Sequence, residues 1–331
     1  SAMRGCARRL RWAARLAGAL LAATLAGCAQ LVPQTIALRT GWPEGVPQTI
    51  ELRNVPFFPQ KEYECGPAAL ATVLASSGVA VTPDPLVKDV YLPARHGSLQ
   101  LEMLAAARRY GRVSYQLAPR YSDLLREVAA GNPVVVLQEI GLFPGVPDWH
   151  YAVVNGFDYP SGTIYLRSGT DPRQKMPFTY FERTWMKSNY WAMVATPPDR
   201  IPATATEDGW LRALIAFSRT EQGEPLTRGY EAALRRWPDN VAAAVGLANQ
   251  YHAHGAIAQS VKVLRQAHER HPDSVVVLNN LAQALSDEGR QHEALALIDK
   301  IGNRPTPFAA QVNSTRQLIL QRLAQQKTGS R

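Results

Sequence analysis

The stretch Gln60-Lys-Glu-Tyr-Glu-Cys65-Gly66-Pro67-Ala-Ala-Leu70 decides how the first half of the chain is interpreted. Apolar residues at helical spacing follow the cysteine and predict a helix over 65–76. Gly66 and Pro67 fall in its first turn, where a proline costs no hydrogen bond. Cys65 would then lie at the positive end of the helix dipole, which favours a thiolate. The stretch therefore predicts a reactive cysteine, although a small buried hydrophobe is the more usual fate of an unpaired cysteine.

The other two of the three cysteines lie in an N-terminal export sequence. Five arginines precede an apolar run over 16–26, which is typical of a secretory signal. The run ends Leu25-Ala26-Gly27-Cys28, which resembles the bacterial lipobox, whose cysteine is lipidated and becomes the new N-terminus. We therefore expect 1–28 to be a signal peptide with a lipobox, and Cys28 to carry the lipid. The following alanine resembles that of lipoproteins sorted to the outer membrane, so we expect a lipid-anchored protein of the bacterial cell envelope, facing the periplasm.

Composition limits the remaining function classes. The formal net charge of the 331-residue chain is +9, but five arginines belong to the expected signal, which leaves about +4, an ordinary solubility charge. No basic run with interleaved aromatic residues occurs, so we expect no nucleic-acid partner. The chain without its signal has a length that suggests two domains.

Local patterns divide the mature chain into three parts. Residues 29–54 are rich in proline and glycine and are expected to be a linker. Within them Pro33-Gln-Thr-Ile-Ala-Leu-Arg39 recurs as Pro47-Gln-Thr-Ile-Glu-Leu-Arg53, which we interpret as a local duplication that lengthened this linker. Residues 55–198 are expected to form one α+β domain, with helices over 65–76, 99–110 and 121–130 and strands over 133–137, 150–157, 163–167 and 191–195.

Residues 206–327 are helical throughout and contain an internal repeat. Pro238-Asp239 and Pro272-Asp273 are 34 residues apart, the period of a tetratricopeptide repeat, in which helix pairs bury their faces against neighbouring pairs. The pattern predicts an all-α tetratricopeptide-repeat solenoid of three units, followed by a capping helix near 308–325.

A nucleophilic cysteine needs a base and an oxyanion donor. Five of the seven histidines lie in the repeat region, which leaves His96 and His150 in the α+β domain. His150 opens an apolar strand after Trp149 and is the better candidate for the base. Gln60 lies five residues before Cys65, where a side-chain amide can donate to a developing oxyanion together with the backbone N–H of the cysteine.

The motif Gln60…Cys65-Gly66-Pro67-Ala-Ala-Leu70 followed by His150-Tyr-Ala-Val-Val-Asn-Gly resembles the double-glycine (bacteriocin-processing) cysteine peptidase family of the papain-like fold. With the lipobox and the repeats, the whole arrangement is similar to a group of proteobacterial lipoprotein cysteine peptidases. The resemblance implies a papain-like domain over 55–198, a Cys-His-Asp triad and Gln60 in the oxyanion hole. It implies no cofactor, and no Cys/His ligand spacing suggests a metal.

The third residue of the triad is where this chain departs from the family pattern. The family ends the strand after the histidine strand with Asp-Pro, whereas here the strand ends Leu166-Arg167-Ser168-Gly169, and Asp171-Pro172 follows. Counting back from a hairpin turn over 159–162 places position 171 opposite position 150. We therefore expect Asp171 to orient the imidazole, with Ser168 as the alternative.

These features predict a membrane-anchored periplasmic cysteine peptidase that hydrolyses a peptide or protein, with the repeats recruiting a substrate or partner protein. The family members that process leader peptides are fused to transporters, and no transporter is present here. Two alternatives stay open: an amidase acting on cell-wall peptide with the same residues, and a catalytically inactive scaffold that acts through its repeats.

Overall fold

The computed structural model of the chain describes residues 32–60, 64–95, 97–141, 143, 145–302 and 304–329. The expected signal peptide, lipobox and Cys28 lie outside these ranges. Contacts divide the chain into two units: the first contains the described residues up to Tyr110, Ser114–Ala195 and Pro202–Thr204, and the second contains Gly111–Val113, Thr196–Ile201 and the residues from Ala205 onward. Within the described ranges no helix has the length and apolar character needed to span a membrane.

The first unit combines helices with a mostly antiparallel sheet. Its helices are α1 (Pro33–Thr40), α2 (Cys65–Ser76), α3 (Pro83–Val90), α4 (Gln100–Arg109), α5 (Tyr121–Ala129) and α6 (Phe178–Trp185). The strands are β1 (Thr49–Glu51), β2 (Tyr91–Leu92), β3 (Gly97–Ser98), β4 (Val113–Gln116), β5 (Val134–Glu139), β6 (Trp149–Asp158), β7 (Thr163–Ser168), β8 (Asp171–Pro177) and β9 (Ala192–Thr196). The α+β class predicted for this part of the chain is confirmed.

The central sheet has the order β4-β9-β5-β6-β7-β8, with β1 added beside β6. Helix α2 packs in a core that includes Val135, Val153 and Met193 of the central strands. Because strand residues alternate between faces, their neighbours in β5 and β6 point to the other side, where α5 and α6 pack. There the ring of Tyr121 lies 5.6 Å from Phe181 and 5.8 Å from Trp185. The sheet is thus covered on both faces, and α2 is held in the interior.

The expectation that 29–54 is a linker is wrong for its described part. Helix α1 lies against α6, where the buried carboxylate of Glu182 accepts hydrogen bonds from the backbone N–H groups of Gln34 at 2.9 Å and Thr35 at 2.6 Å. The second copy of the duplicated heptapeptide instead forms β1, which pairs with the end of β6. Nearly identical sequences therefore form a helix and a strand, because tertiary partners outweigh local propensity.

The second unit is helical. It contains α7 (Glu207–Phe217), α8 (Glu224–Arg236), α9 (Val241–Ala253), α10 (Ile257–Arg270), α11 (Val275–Asp287), α12 (Gln291–Ile301) and α13 (Ala309–Gly329). Helices α7, α9 and α11 begin 34 residues apart. All three starts carry equivalent caps, since Thr206, Asn240 and Ser274 accept hydrogen bonds from backbone N–H groups three residues on. The many-helix C-terminal region predicted from the sequence is confirmed.

Candidate active site

Cys65 is the first residue of α2, as the sequence predicts. The helix is fixed in the core, because every residue from Gly66 to Leu74 is buried. A Cβ atom at position 66 would lie 2.6 Å from the Cβ atom of Ser98, so the residue after the cysteine has to be glycine. The sulfur is therefore presented from a rigid helix whose first turn packs tightly against β3.

Strand β6 extends past the end of β7 and leaves an open backbone edge beside Cys65. The β6–β7 pairing stops at Val153 and Arg167, although β6 begins at Trp149. The backbone of Tyr151 faces this edge, where it lies close enough to the Cys65 thiol to lower its pKa through hydrogen bonding. The open edge thus brings the thiol to the residue that directly follows His150, its predicted base.

The imidazole of His150 is hydrogen-bonded to Ser168 rather than to Asp171. Its Nε2 lies 2.8 Å from the hydroxyl oxygen of Ser168, a residue that is 5% exposed. The register predicted for Asp171 is wrong, because a bulge interrupts the β6–β7 pairing and β7 ends at Ser168. The chain then turns into β8, where Asp171 is exposed and accepts a hydrogen bond from the backbone N–H of Arg173 at 2.8 Å. The serine therefore orients the ring.

Gln60 is held at the same edge by its backbone and its side chain. Its backbone N–H donates to the carbonyl of Gly169 at 3.0 Å, and its amide Nε2 donates to the carbonyl of Tyr151 at 3.4 Å. The second bond is long, so the amide is only loosely engaged. Nε of Arg167 donates to the carbonyl of Val55 at 3.1 Å and fixes the segment that leads to Gln60. The end of β7 thus anchors the candidate oxyanion donor as well as the imidazole.

Burial disfavours the charged forms of both Cys65 and His150. Burial raises the pKa of the Cys65 thiol above its ordinary value, although hydrogen bonds from the backbone of Tyr151 and Gly66 act in the opposite direction. Burial also lowers the pKa of His150 below its ordinary value. The helix start was expected to lower the thiol pKa, but desolvation is the larger effect. Near neutral pH the site therefore holds a thiol and a neutral imidazole rather than a preformed ion pair.

One charged group near the pair was missed by the sequence interpretation. The carboxylate of Asp148 raises the pKa of Cys65 and also that of His150, so it lies within electrostatic reach of both. Its place two residues before His150 could have drawn attention to it. Asp148 also lines a cavity of about 640 Å³, and a smaller cavity of about 170 Å³ is lined in part by Gln60 and Glu64. One cavity is thus lined by Asp148, and another is lined by Gln60, the candidate oxyanion donor.

Comparison with known proteins assigns the fold of this part of the chain. Residues 52–193 match the model of the Peptidase_C39 like family, and no curated protein matches the chain. A solved C39-like peptidase from Bacillus anthracis is 18% identical over 45% of this chain and 98% of its own, with a TM-score of 0.39. A double glycine motif protease from an AMS/PCAT transporter, in complex with a leader peptide, is 23% identical over 45% of this chain and 97% of its own, with a TM-score of 0.33.

A solved structure of MamA from AMB-1 is also similar, with 23% identity over 37% of this chain and 67% of its own and a TM-score of 0.30. All three identities are below 25% and all three TM-scores are below 0.5, so the assignment depends on the family model. That match covers less than half of the chain and includes Cys65, His150 and Gln60. Residues 52–193 are therefore similar to the Peptidase_C39 like family.

Proposed function

We propose that the chain is a cysteine peptidase that hydrolyses a peptide or protein substrate, with Cys65 as nucleophile and His150 as base. One observation carries the proposal. The backbone of Tyr151, the residue that follows His150, lies close enough to the Cys65 thiol to lower its pKa, while Nε2 of the ring is hydrogen-bonded to Ser168. Nδ1 is then the ring nitrogen available to the thiol.

The chemistry follows from these placements. Nδ1 of His150 takes the thiol proton as the sulfur of Cys65 bonds to the carbonyl carbon of the scissile peptide. Nε2 of Gln60 and the backbone N–H of Cys65 donate to the oxygen that gains negative charge. The carbon–nitrogen bond then breaks, and the imidazolium returns its proton to the leaving amine. Water deprotonated by the same imidazole cleaves the thioester, which releases the acid and restores the thiol.

The neutral resting pair makes His150 a general base in this mechanism. A thiol with a raised pKa and an imidazole with a lowered pKa favour proton transfer during attack over a standing thiolate–imidazolium pair. A polar substrate that enters the site and brings water with it would lessen the desolvation of both groups.

The cellular setting of the proposed peptidase comes from the sequence alone. We propose that the lipid on Cys28 tethers the protein to the cell envelope, on its periplasmic side. The helix pairs of the second unit, with their 34-residue spacing, would form a tetratricopeptide-repeat surface that recruits a protein substrate or partner.

The test is the turnover of internally quenched peptides by the full chain and by single variants. Cys65→Ala should abolish turnover, and His150→Ala should lower kcat by about 10²-fold or more, the usual contribution of a general base. Ser168→Ala should lower kcat more than Asp171→Asn, because only the serine touches the ring. Turnover that survives in folded Cys65→Ala would refute the assignment.

A second function, that of an inactive scaffold, is favoured by one observation. Ser168 stands where a carboxylate would stabilise an imidazolium, and a hydroxyl does so less strongly. The scaffold predicts binding of peptides by the full chain without cleavage, and no covalent adduct on Cys65 after treatment with a peptide electrophile.

A further inference from the structure

An apolar cavity is lined by Asp148, which lies two residues before His150 and within electrostatic reach of the proposed reactive pair. It has a volume of about 640 Å³, within the range of ligand pockets in proteins. Residues 140, 141, 143 and 146–148, between β5 and β6, form one wall, and residues of β8 and α6 form another. The lining side chains are largely apolar and include Ile140, Val146, Met176 and Tyr180. The cavity is therefore large enough for a bulky side chain of a substrate.

The rim of this cavity carries an unusual share of exposed apolar surface. Phe143 is 73% exposed, Val146 is 65% exposed and Tyr180 is 43% exposed. Trp149, which follows the lining residue Asp148, is 46% exposed. Large apolar side chains grouped at a hollow next to a reactive site are typical of a surface that binds a ligand.

The wall of the cavity is built by specific hydrogen bonds. Oε1 of Glu139 accepts from the backbone N–H of Gly141 at 2.8 Å and from that of Asp148 at 3.3 Å. The backbone N–H of Ile140 donates to the carbonyl of Asp148 at 2.9 Å, and Lys187 lies 3.6 Å from the second oxygen of Glu139. Glu139 is thus committed to closing the loop, and it is not available to a ligand.

The carboxylate of Asp148 differs from that of Glu139. Over the ranges that the structure covers, no side chain hydrogen-bonds or forms an ion pair with it. It is exposed, lines the cavity and acts electrostatically on Cys65 and His150. A negative charge at this place repels the Cys65 thiolate and so disfavours its formation. A cationic group of a bound substrate would offset this repulsion.

We propose that this cavity and Asp148 together select the substrate: the cavity takes a large apolar side chain, and Asp148 pairs with a cationic group next to the scissile bond. The cation is a lysine or arginine side chain or a free α-amino group. The proposal rests on the proposed peptidase function and names the class of peptide that it would cleave.

The test uses the full chain and four matched sets of quenched peptides. Each set carries either a large apolar residue or alanine, together with either lysine or glutamate. Within each set, the charged residue is placed before the scissile bond in one peptide and after it in another. We expect the apolar–lysine peptides to have the highest kcat/KM. The ratio of kcat/KM for lysine over glutamate should fall about fivefold in Asp148→Asn, the size of an ion pair with an exposed partner. The same ratio should fall in the wild type as salt is raised.

One further variant separates the two parts of the proposal, and a second serves as a control. Tyr180→Ala should reduce the preference for the apolar residue and leave the lysine-to-glutamate ratio in place. Glu44→Gln removes one exposed acid that lines neither cavity and should alter neither ratio. Cleavage without either preference, or preferences that Asp148→Asn leaves unchanged, would overturn this inference while the peptidase stands. If no peptide is cleaved by the wild type and no electrophile modifies Cys65, the peptidase function itself fails.

Discussion

Ser168 occupies the place at His150 where an acceptor-only carboxylate would fix the imidazole tautomer. A hydroxyl can donate as well as accept, so the 2.8 Å contact permits the ring proton on either nitrogen. Only the tautomer with the proton on Nε2 leaves Nδ1 able to take the proton of Cys65. The serine therefore holds the ring in place but selects its protonation state weakly.

Replacing this serine by aspartate should improve the catalyst. In Ser168→Asp the carboxylate would accept a hydrogen bond from Nε2 and stabilise the imidazolium. We expect kcat to rise by at least about tenfold, which is less than the fall in kcat when the orienting carboxylate of a catalytic triad is removed. The acid limb of the kcat/KM profile should also move to higher pH, because the pKa of His150 rises. Ser168→Ala serves as the matched variant, and an acid limb that is identical in all three proteins would contradict this role.

Protonation of His150 should also couple stability to pH. Burial lowers the folded-state pKa of His150 below 6.5, its ordinary value. The unfolded chain therefore binds the proton first as pH falls, and the free energy of unfolding should drop from pH 6.5 down to the folded pKa. Urea unfolding at a series of pH values between 7 and 5 measures this slope. The slope should be smaller in His150→Gln, and equal slopes would show that the ring is not buried as described.

Among the helices and strands, the local sequence predicts helix α2, but it does not predict the place of Asp171 or the two forms of the duplicated heptapeptide. Helix α2 and the place of its cysteine could be predicted because the apolar spacing and the Gly-Pro start are local signals, carried by neighbouring residues of the helix itself. The place of Asp171 could not be predicted, since it depends on a bulge and on the point where β7 ends. The two copies of the duplicated heptapeptide could not be distinguished locally either. The first copy is a helix because Glu182, far along the chain, caps it. The second copy contains a strand because it pairs with the backbone at the end of β6.

Removal of this distant cap should release α1 from the domain. Glu182→Ala leaves two backbone N–H groups without their acceptor and should lower the free energy of unfolding by about 2 kcal/mol or more. Hydrogen exchange of 33–40 should be slow in the wild type and much faster in the variant. Glu44→Ala, which removes an exposed acid, is the control. Fast exchange of this segment in the wild type would restore the view that it is a linker.

At the scale of the whole molecule, the proposed chemistry lies in one unit and the proposed recruitment in the other. The family match ends at residue 193, and the first unit also includes Pro202–Thr204. Thr204 belongs to the first unit because its backbone N–H donates a hydrogen bond to the Glu127 carboxylate at 2.6 Å. The expected domain boundary at residue 198 leaves this contact out.

Deletion of 206–331 should therefore separate the two roles. The shortened chain keeps Thr204 and its contact, and all the candidate site residues belong to the first unit, so kcat and KM for a small quenched peptide should stay within about twofold. Cleavage of a native protein partner should weaken, since its docking surface is lost. Steady-state kinetics on both substrates measure this, and equal loss on both would mean that the repeats are part of the catalytic fold.

Activation of Cys65 by His150 is tested by the rate at which a peptide acyloxymethyl ketone modifies Cys65, followed by intact mass and peptide mapping. The wild type should gain one adduct, located on Cys65, and the rate should fall by about 10²-fold or more in His150→Ala. Modification of Cys65 at the same rate in both proteins would contradict the account, because the thiol would then react without the imidazole.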